Sequence, residues 1–208
     1  MKRFAVLASL ALIVTAPLIA QAPKGWKVRA DRSTSASDPD AAGAIKFVTA
    51  GSGFHATTPQ AAVFWNPAST ITGNYSLKGT FKLLKPSGHT NYYGLVFGGS
   101  DLDNAKQTYT YFLVAQDGTW LVKRRNGDTA TDNVLPKAAS DAVKKPGADG
   151  KSTNALEVRV GADKIDYVVN GTVVHRTPKA GVKTDGLYGL RVNHLLELHI
   201  DGVAMAKS

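Results

Sequence analysis

Three side chains near the C-terminus are of types that do chemistry. Glu197, His199 and Asp201 take alternate positions in LELHID, so on a strand all three project from one face. A carboxylate, an imidazole and a second carboxylate in a row can gather a cation or pass a proton. Their spacing sets a limit. At roughly 3.3 Å per residue the outer two stand about 13 Å apart, too far for all three to hold one ion. Polar residues alternating with Leu196, Leu198 and Ile200 read more simply as the wet face of a sheet.

The second candidate is aromatic. Trp65, Tyr93, Tyr109, Tyr111 and Trp120 could supply a platform for sugar rings, since aromatic faces pack on apolar ring faces while hydroxyl tips hydrogen-bond. Tyr109 and Tyr111 share a strand face with Leu113, and Trp120 shares one with Val122 and Arg124. Arg124 joins the candidate ligand set because an unpaired guanidinium is costly inside a core. The competing reading is a sandwich core, because strands use aromatics for packing in any case. A third candidate is Asp101-Leu102-Asp103-Asn104, oxygen donors on a turn of the kind calcium takes. It lacks the third acid and the glycine of an EF-hand loop, and Asx-capped turns have the same composition. The expectation is therefore no cofactor and no metal ligand, with a structural calcium at this turn as the alternative.

Other chemistries lack their residues. No cysteine is present, which removes disulfides, thiolate metal sites, thiol nucleophiles and N-terminal lipid attachment together. No G-x-S-x-G elbow, G-x-G-x-x-G loop, Walker lysine motif or H-E-x-x-H occurs, and the five histidines are scattered. No catalytic residue is assigned. Asp101, Glu157 and Glu197 are the acids available for hydrolysis.

These groups need a scaffold, and the scaffold reads as β. From Asn74 to Leu83, Tyr75, Leu77, Gly79, Phe81 and Leu83 alternate with polar residues, the signature of a strand with one buried face. Tyr92 to Phe97, Thr108 to Ala115 and Trp120 to Arg125 follow as strands, with Asp117-Gly118 as a hairpin signal. Ile45 to Thr49, Gly53 to Thr57 and Ala61 to Trp65 precede them, the last stopped by Asn66-Pro67. Ala130 to Thr153 reads as a polar excursion with a helical turn between Ala138 and Lys145. Alternation returns at Leu156 to Val160 and Ile165 to Val169, and Asn170-Gly171 is a type I′ turn signal. Leu187 to Val192 and Leu196 to Ile200 complete the set. The sum is an all-β sandwich or barrel.

The first residues differ in kind. Met1-Lys2-Arg3 is basic, Phe4 to Val14 is mostly apolar, and Ala20-Gln21-Ala22 is small-residue processing territory. This is the pattern of a secretory signal peptide spanning residues 1–20, followed by a polar segment, 21–44, and one sandwich domain, 45–208. The implied location is the periplasm or the exterior, with no transmembrane segment after signal removal. The chain carries a formal charge of +9, dispersed apart from Lys123-Arg124-Arg125 and Lys144-Lys145. No nucleic-acid-binding motif accompanies it, so nucleic acid is excluded as a partner.

The pieces NYYGLVFGGSD, TYTYFLVAQDGTWLVKRR, NALEVRVGADKIDYVVNGTVV and YGLRVNHLLELHIDGV resemble the concanavalin A-like lectin/glucanase superfamily. The resemblance is nearest to its exported bacterial laminin G-like and 3-keto-disaccharide hydrolase-like domains and covers roughly residues 45 to 205. It implies a jelly-roll sandwich of two antiparallel sheets, often with a carbohydrate site on a concave face. The E-x-D-x-x-E strand of the family-16 glucanases is missing, as Glu157 and Glu197 are the only glutamates. The functional expectation is an exported carbohydrate-binding sandwich. The alternatives are a glycoside hydrolase of the same fold with an acid pair drawn from distant strands, and a structural or adhesion module that binds a protein partner.

Overall fold

The computed structural model describes residues 22–33 and 36–208. The expected signal peptide lies outside these. Fourteen strands follow one another: β1 (Lys27–Ala30), β2 (Lys46–Ala50), β3 (Gly53–Thr58), β4 (Ala62–Ile71), β5 (Tyr75–Lys85), β6 (Tyr92–Ser100), β7 (Thr108–Ala115), β8 (Thr119–Asn126), β9 (Ala130–Ala139), β10 (Ser152–Val160), β11 (Lys164–Val169), β12 (Thr172–Pro178), β13 (Gly186–Val192) and β14 (Leu196–Lys207). They form two antiparallel seven-stranded sheets. Sheet one runs β1-β4-β13-β6-β7-β8-β9 and sheet two runs β12-β11-β10-β5-β14-β3-β2. Among the described residues there is no helix, and none is long and apolar enough to cross a membrane.

The alternation along β5 does what period 2 demands. Tyr75, Leu77, Phe81 and Leu83 are buried, while the lysines at 78 and 82 stand in solvent. These residues meet Phe64, Tyr93, Leu95, Phe97 and Phe112 from sheet one in the main inter-sheet core. Asn170 and Gly171 both have positive φ, 51° and 84°, as a type I′ turn between β11 and β12 requires. The outer face of sheet two is polar and laced with exposed ion pairs such as Arg176–Asp166 at 2.6 Å.

Sheet one differs: β6 and β7 are buried on both faces. Its outer face carries a second apolar layer of Val63, Trp65, Val96, Leu102, Tyr109, Tyr111, Leu113 and Leu121. Leu102, from the turn after β6, is part of that layer, so the 101–107 connection folds over the outer face rather than away from it.

Three local expectations change. Asn66-Pro67 does not end its strand. β1 pairs only with residues 62–65 of β4, and β13 skips from Trp65 to Thr70, so Pro67 sits where neither neighbour needs an amide proton. The polar excursion after residue 130 is in part a strand, β9, an exposed edge paired with β8. Edge strands bury little, so their sequence carries no alternation to read. Residues 138–145 hold the end of that strand and a turn, without a helix. At the other edge, β1 brings residues 27–30 of the polar N-terminal segment into sheet one.

Burial of phenols gives the fold a pH dependence at its alkaline end. Burial pushes the Tyr109 hydroxyl from 10.0 up to about 12, and burial raises Tyr75 and Tyr167 further still. These groups stay neutral in the folded chain at pH values where the unfolded chain ionises them. Their contribution is complete below pH 10 and declines above it, that of Tyr109 being lost as pH rises through about 12 and those of Tyr75 and Tyr167 at still higher pH. The melting temperature is expected to be level at moderately alkaline pH and to fall steeply from pH 10 to pH 12, read by circular dichroism.

Candidate functional site

The outer face of sheet one holds the most unusual residues in the molecule. Arg191 lies on β13 between β4 and β6, opposite Val63 and Gly94, and its side chain enters the buried outer layer. Gly94 is required by close packing, since a Cβ there would stand 2.3 Å from the Phe112 carbonyl oxygen and 2.8 Å from Leu156 Cδ1. Arg191 Nη1 is 2.6 Å from Asp31 Oδ2 and donates to the Tyr109 hydroxyl at 2.7 Å. Its Cζ lies 5.2 Å from the centre of the Tyr111 ring, a cation–π contact. Burial works against its charge, but Tyr109 and Asp31 more than offset this and hold the group protonated above its ordinary range.

Asp31 follows β1 directly, and its backbone amide donates to Ala61 O at 2.7 Å. Its second oxygen accepts from Arg125 of β8. Arg125 also donates to Asp128 O at 2.6 Å and to Thr131 Oγ1 at 3.3 Å. Asp128 Oδ1 in turn takes Arg29 at 2.6 Å and Gln107 Nε2 at 2.9 Å. One carboxylate thus serves two largely buried guanidiniums, and a chain of ion pairs ties β1, β8 and β13 across the sheet. Among the described residues the Nε atoms of Arg125 and Arg191 and the Oδ1 of Asn193 have no hydrogen-bond partner.

Beside this network lies a cleft of about 630 Å³, within the range of small-molecule sites. Lys123, Arg125, Thr131, Arg191 and Asn193 form its floor on sheet one, and Asp31, Arg32, Ser33, Asp38 and Asp40 form a wall. Lys123 is paired through its backbone on β8, but among the described residues its ammonium makes no hydrogen bond or ion pair. A second cleft of equal volume lies at one end of sheet two near Gly43, Pro59 and Pro86. Its lining is more apolar and has no buried charge.

At the far end of the first cleft, three loops bring side chains together. His194 follows β13, His89 precedes β6, and Asp38 lies between β1 and β2. Asp38 Oδ1 is 2.8 Å from His89 Nε2 and 3.1 Å from His194 Nε2. The two Nε2 atoms are 3.1 Å apart. Behind them, His194 Nδ1 pairs with Asp40 Oδ1 at 2.9 Å.

The candidates taken from the sequence divide between two faces. Trp65, Tyr109 and Tyr111 are together in the outer layer of sheet one. Tyr93 and Trp120 point the other way, into the inter-sheet core, where they are 0% and 4% exposed and offer no ring face to a ligand. Arg124 shares the parity of Trp120 but reaches solvent and pairs with Asp132 at 3.3 Å. Glu197, His199 and Asp201 lie on the outer face of sheet two, with His199 paired to Asp201 at 2.8 Å and Glu197 near His55 at 3.4 Å. Glu157 pairs with Arg159 at 2.7 Å. Glu157 stands opposite Lys78 and Glu197 opposite Lys85 on β5. Seven residues of strand separate those positions, about 23 Å, so the two glutamates cannot form an acid pair. On the 101–104 turn, Asp103 is 3.3 Å from the Lys27 ammonium and Asn104 Oδ1 accepts from the Lys106 amide at 2.8 Å.

The residues that build the cleft were absent from the sequence candidates. Arg191 had one visible mark, a charge within the otherwise strand-like LYGLRV. Asp38, His89 and His194 had none, because their association exists only in the fold.

No family model matches the chain, and no curated protein matches it. Solved structures do. The chain is similar to the carbohydrate-binding module CBM66 from Bacillus subtilis, with a TM-score of 0.61 over 93% of this chain and 100% of that one at 10% identity. It is similar to a Bacillus subtilis protein of unknown function with a galectin-like fold, TM-score 0.60, 88% and 90% covered, 12% identical. It is also similar to a Bacteroides ovatus mixed-linkage-glucan GH16 structure, TM-score 0.54, 88% and 95% covered, 10% identical. The fold is a concanavalin A-like jelly roll. At these identities the jelly roll fixes the scaffold, and the chemistry has to come from the cleft.

Proposed function

We propose that the protein binds a carbohydrate in the cleft on the outer face of sheet one, and that it does so outside the cytoplasm after removal of the leader. The observation that carries the reading is the set of donors and acceptors lining the cleft: Lys123, Arg125, Thr131, Arg191 and Asn193. Sugars present dense hydroxyl groups, and guanidiniums already held in place by Asp31 lose little further freedom in meeting them. Three of the five come from the adjacent strands β8 and β9, and Arg191 and Asn193 come from β13 and the residue after it, on the same sheet. The carbohydrate-binding module among the structural neighbours is consistent with this use of the fold.

Binding is favoured over hydrolysis by the state of the acids. A general acid must hold a proton near neutral pH. Both oxygens of Asp31 accept from guanidiniums, so neither is free to face a substrate. Asp128 is tied to Arg29 and Gln107. The glutamates lie on the other sheet.

A glycan array probed with the full mature chain tests the reading. At least one glycan class is expected to be retained. Lys123→Ala is expected to lower retention at least tenfold with the melting temperature within about 2 °C, as is usual for a side chain without partners. Equal retention by wild type and Lys123→Ala, or no retention of any glycan, would count against the cleft.

A further inference from the structure

We propose that His89, His194 and Asp38 form a binding site for a zinc-class divalent cation at the end of the cleft, with Asp40 holding His194 from behind. The proposal stands apart from what the cleft binds.

The first argument is geometric. The atoms His89 Nε2, His194 Nε2 and Asp38 Oδ1 make a triangle with sides of 2.8, 3.1 and 3.1 Å. Tetrahedral ligands at zinc lie about 2.0–2.1 Å from the ion and therefore about 3.3 Å from one another. An ion placed that far from all three atoms sits only about 1 Å out of their plane. Small side-chain shifts complete the fit.

The second argument is electrostatic. His194 Nδ1 faces Asp40 Oδ1 at 2.9 Å, so that nitrogen carries the proton and Nε2 is left as a lone pair. Asn91 Nδ2 donates to Ser87 Oγ at 3.2 Å and lies 3.0 Å from His89 Nε2, so an ion bound at His89 takes the place of that amide contact. Asp38 Oδ1 is a carboxylate oxygen. With both imidazoles neutral and protonated on Nδ1, the two Nε2 atoms and Asp38 Oδ1 are acceptors that converge on one point, where a cation takes the place of a shared proton. A carboxylate behind a metal-ligating histidine is also the usual outer partner, since it fixes the tautomer and raises ligand basicity.

The donor set narrows the ion. Two imidazoles and one carboxylate suit zinc and its late first-row neighbours, and are poor ligands for calcium or magnesium. Three protein ligands leave one position open. Asp38 and His194 line the cleft, so the open position can be filled from it by water or a ligand oxygen. Nothing local in the sequence announces the site, because its ligands are 51 and 105 residues apart.

The test uses the full mature chain and zinc alone. Isothermal titration is expected to give one zinc per chain, with a rise in melting temperature that chelator reverses. Cobalt substitution is expected to give the intense visible bands of a four-coordinate site. His89→Ala, at a half-exposed residue whose loss the fold tolerates, is expected to abolish both. Asp40→Ala is expected to weaken zinc binding by about 10–100-fold. His199→Ala, on the opposite sheet, is expected to change neither. No zinc uptake by the wild type, uptake unchanged in His89→Ala, or uptake lost in His199→Ala would each overturn the proposal.

Discussion

Asp31→Ala is expected to cost the protein about 3–5 kcal/mol, the penalty for stranding buried charge. The carboxylate is itself largely buried, and so are the two guanidiniums that it serves, Arg125 and Arg191. Its removal leaves both without their main counter-charge in an apolar layer built from Trp65, Tyr109 and Tyr111. Tyr109 alone cannot replace it, since a phenol offers one neutral acceptor. The loss also loosens the end of β1, whose strand pairing is confined to four residues of β4. Denaturant unfolding should show a lower midpoint at unchanged slope. The triple variant Asp31→Leu with Arg125→Met and Arg191→Met should recover much of the loss, because it removes the whole buried ionic group rather than part of it. An exposed pair provides the contrast: Arg124→Ala, which breaks the bridge to Asp132, should cost only about 0.2–1 kcal/mol.

Trp120→Ala should be of the same size, about 3–5 kcal/mol, for a different reason. Its indole lies between the sheets, 6.3 Å from the Phe112 ring and 5.6 Å from that of His175. Truncation leaves a cavity that β8, anchored on both sides by β7 and β9, cannot collapse to fill. For a domain of this size the melting temperature should fall by roughly 6–20 °C. A sugar platform at Trp120 would predict the reverse, a stable protein that had lost its ligand. Thermal melts of the purified variant distinguish the two.

The split between Trp120 and Tyr111 shows where the sequence stops being legible. β5 could be read residue by residue because one of its faces is wet. In β7, TYTYFLVA, both faces are buried, so Tyr109 and Tyr111 on one side and Phe112 and Val114 on the other carry no pattern that assigns them. Asn170-Gly171 could be read because the turn depends on local φ alone. β9 could not, since an exposed edge strand has no buried face to mark. The cleft was hidden for a further reason. Asp31 and Arg191 are 160 residues apart, and Arg125 enters from a third strand. Their meeting depends on the sheet order, which no local spacing encodes. The same holds for His89 and His194, which in the chain are two of five scattered histidines. The wet-face reading of Glu197, His199 and Asp201 was available from spacing, and the structure places them on that face.

The central claim is that a carbohydrate is held on the outer face of sheet one. It is most directly tested by titrating a retained glycan into isotopically labelled protein and mapping the amide shifts by NMR. The account predicts that the shifts gather at Lys123, Arg125, Thr131, Arg191 and Asn193. Shifts gathered instead on the outer face of sheet two, around His199 and Glu157, or at the second cleft near Pro59 and Pro86, would contradict it.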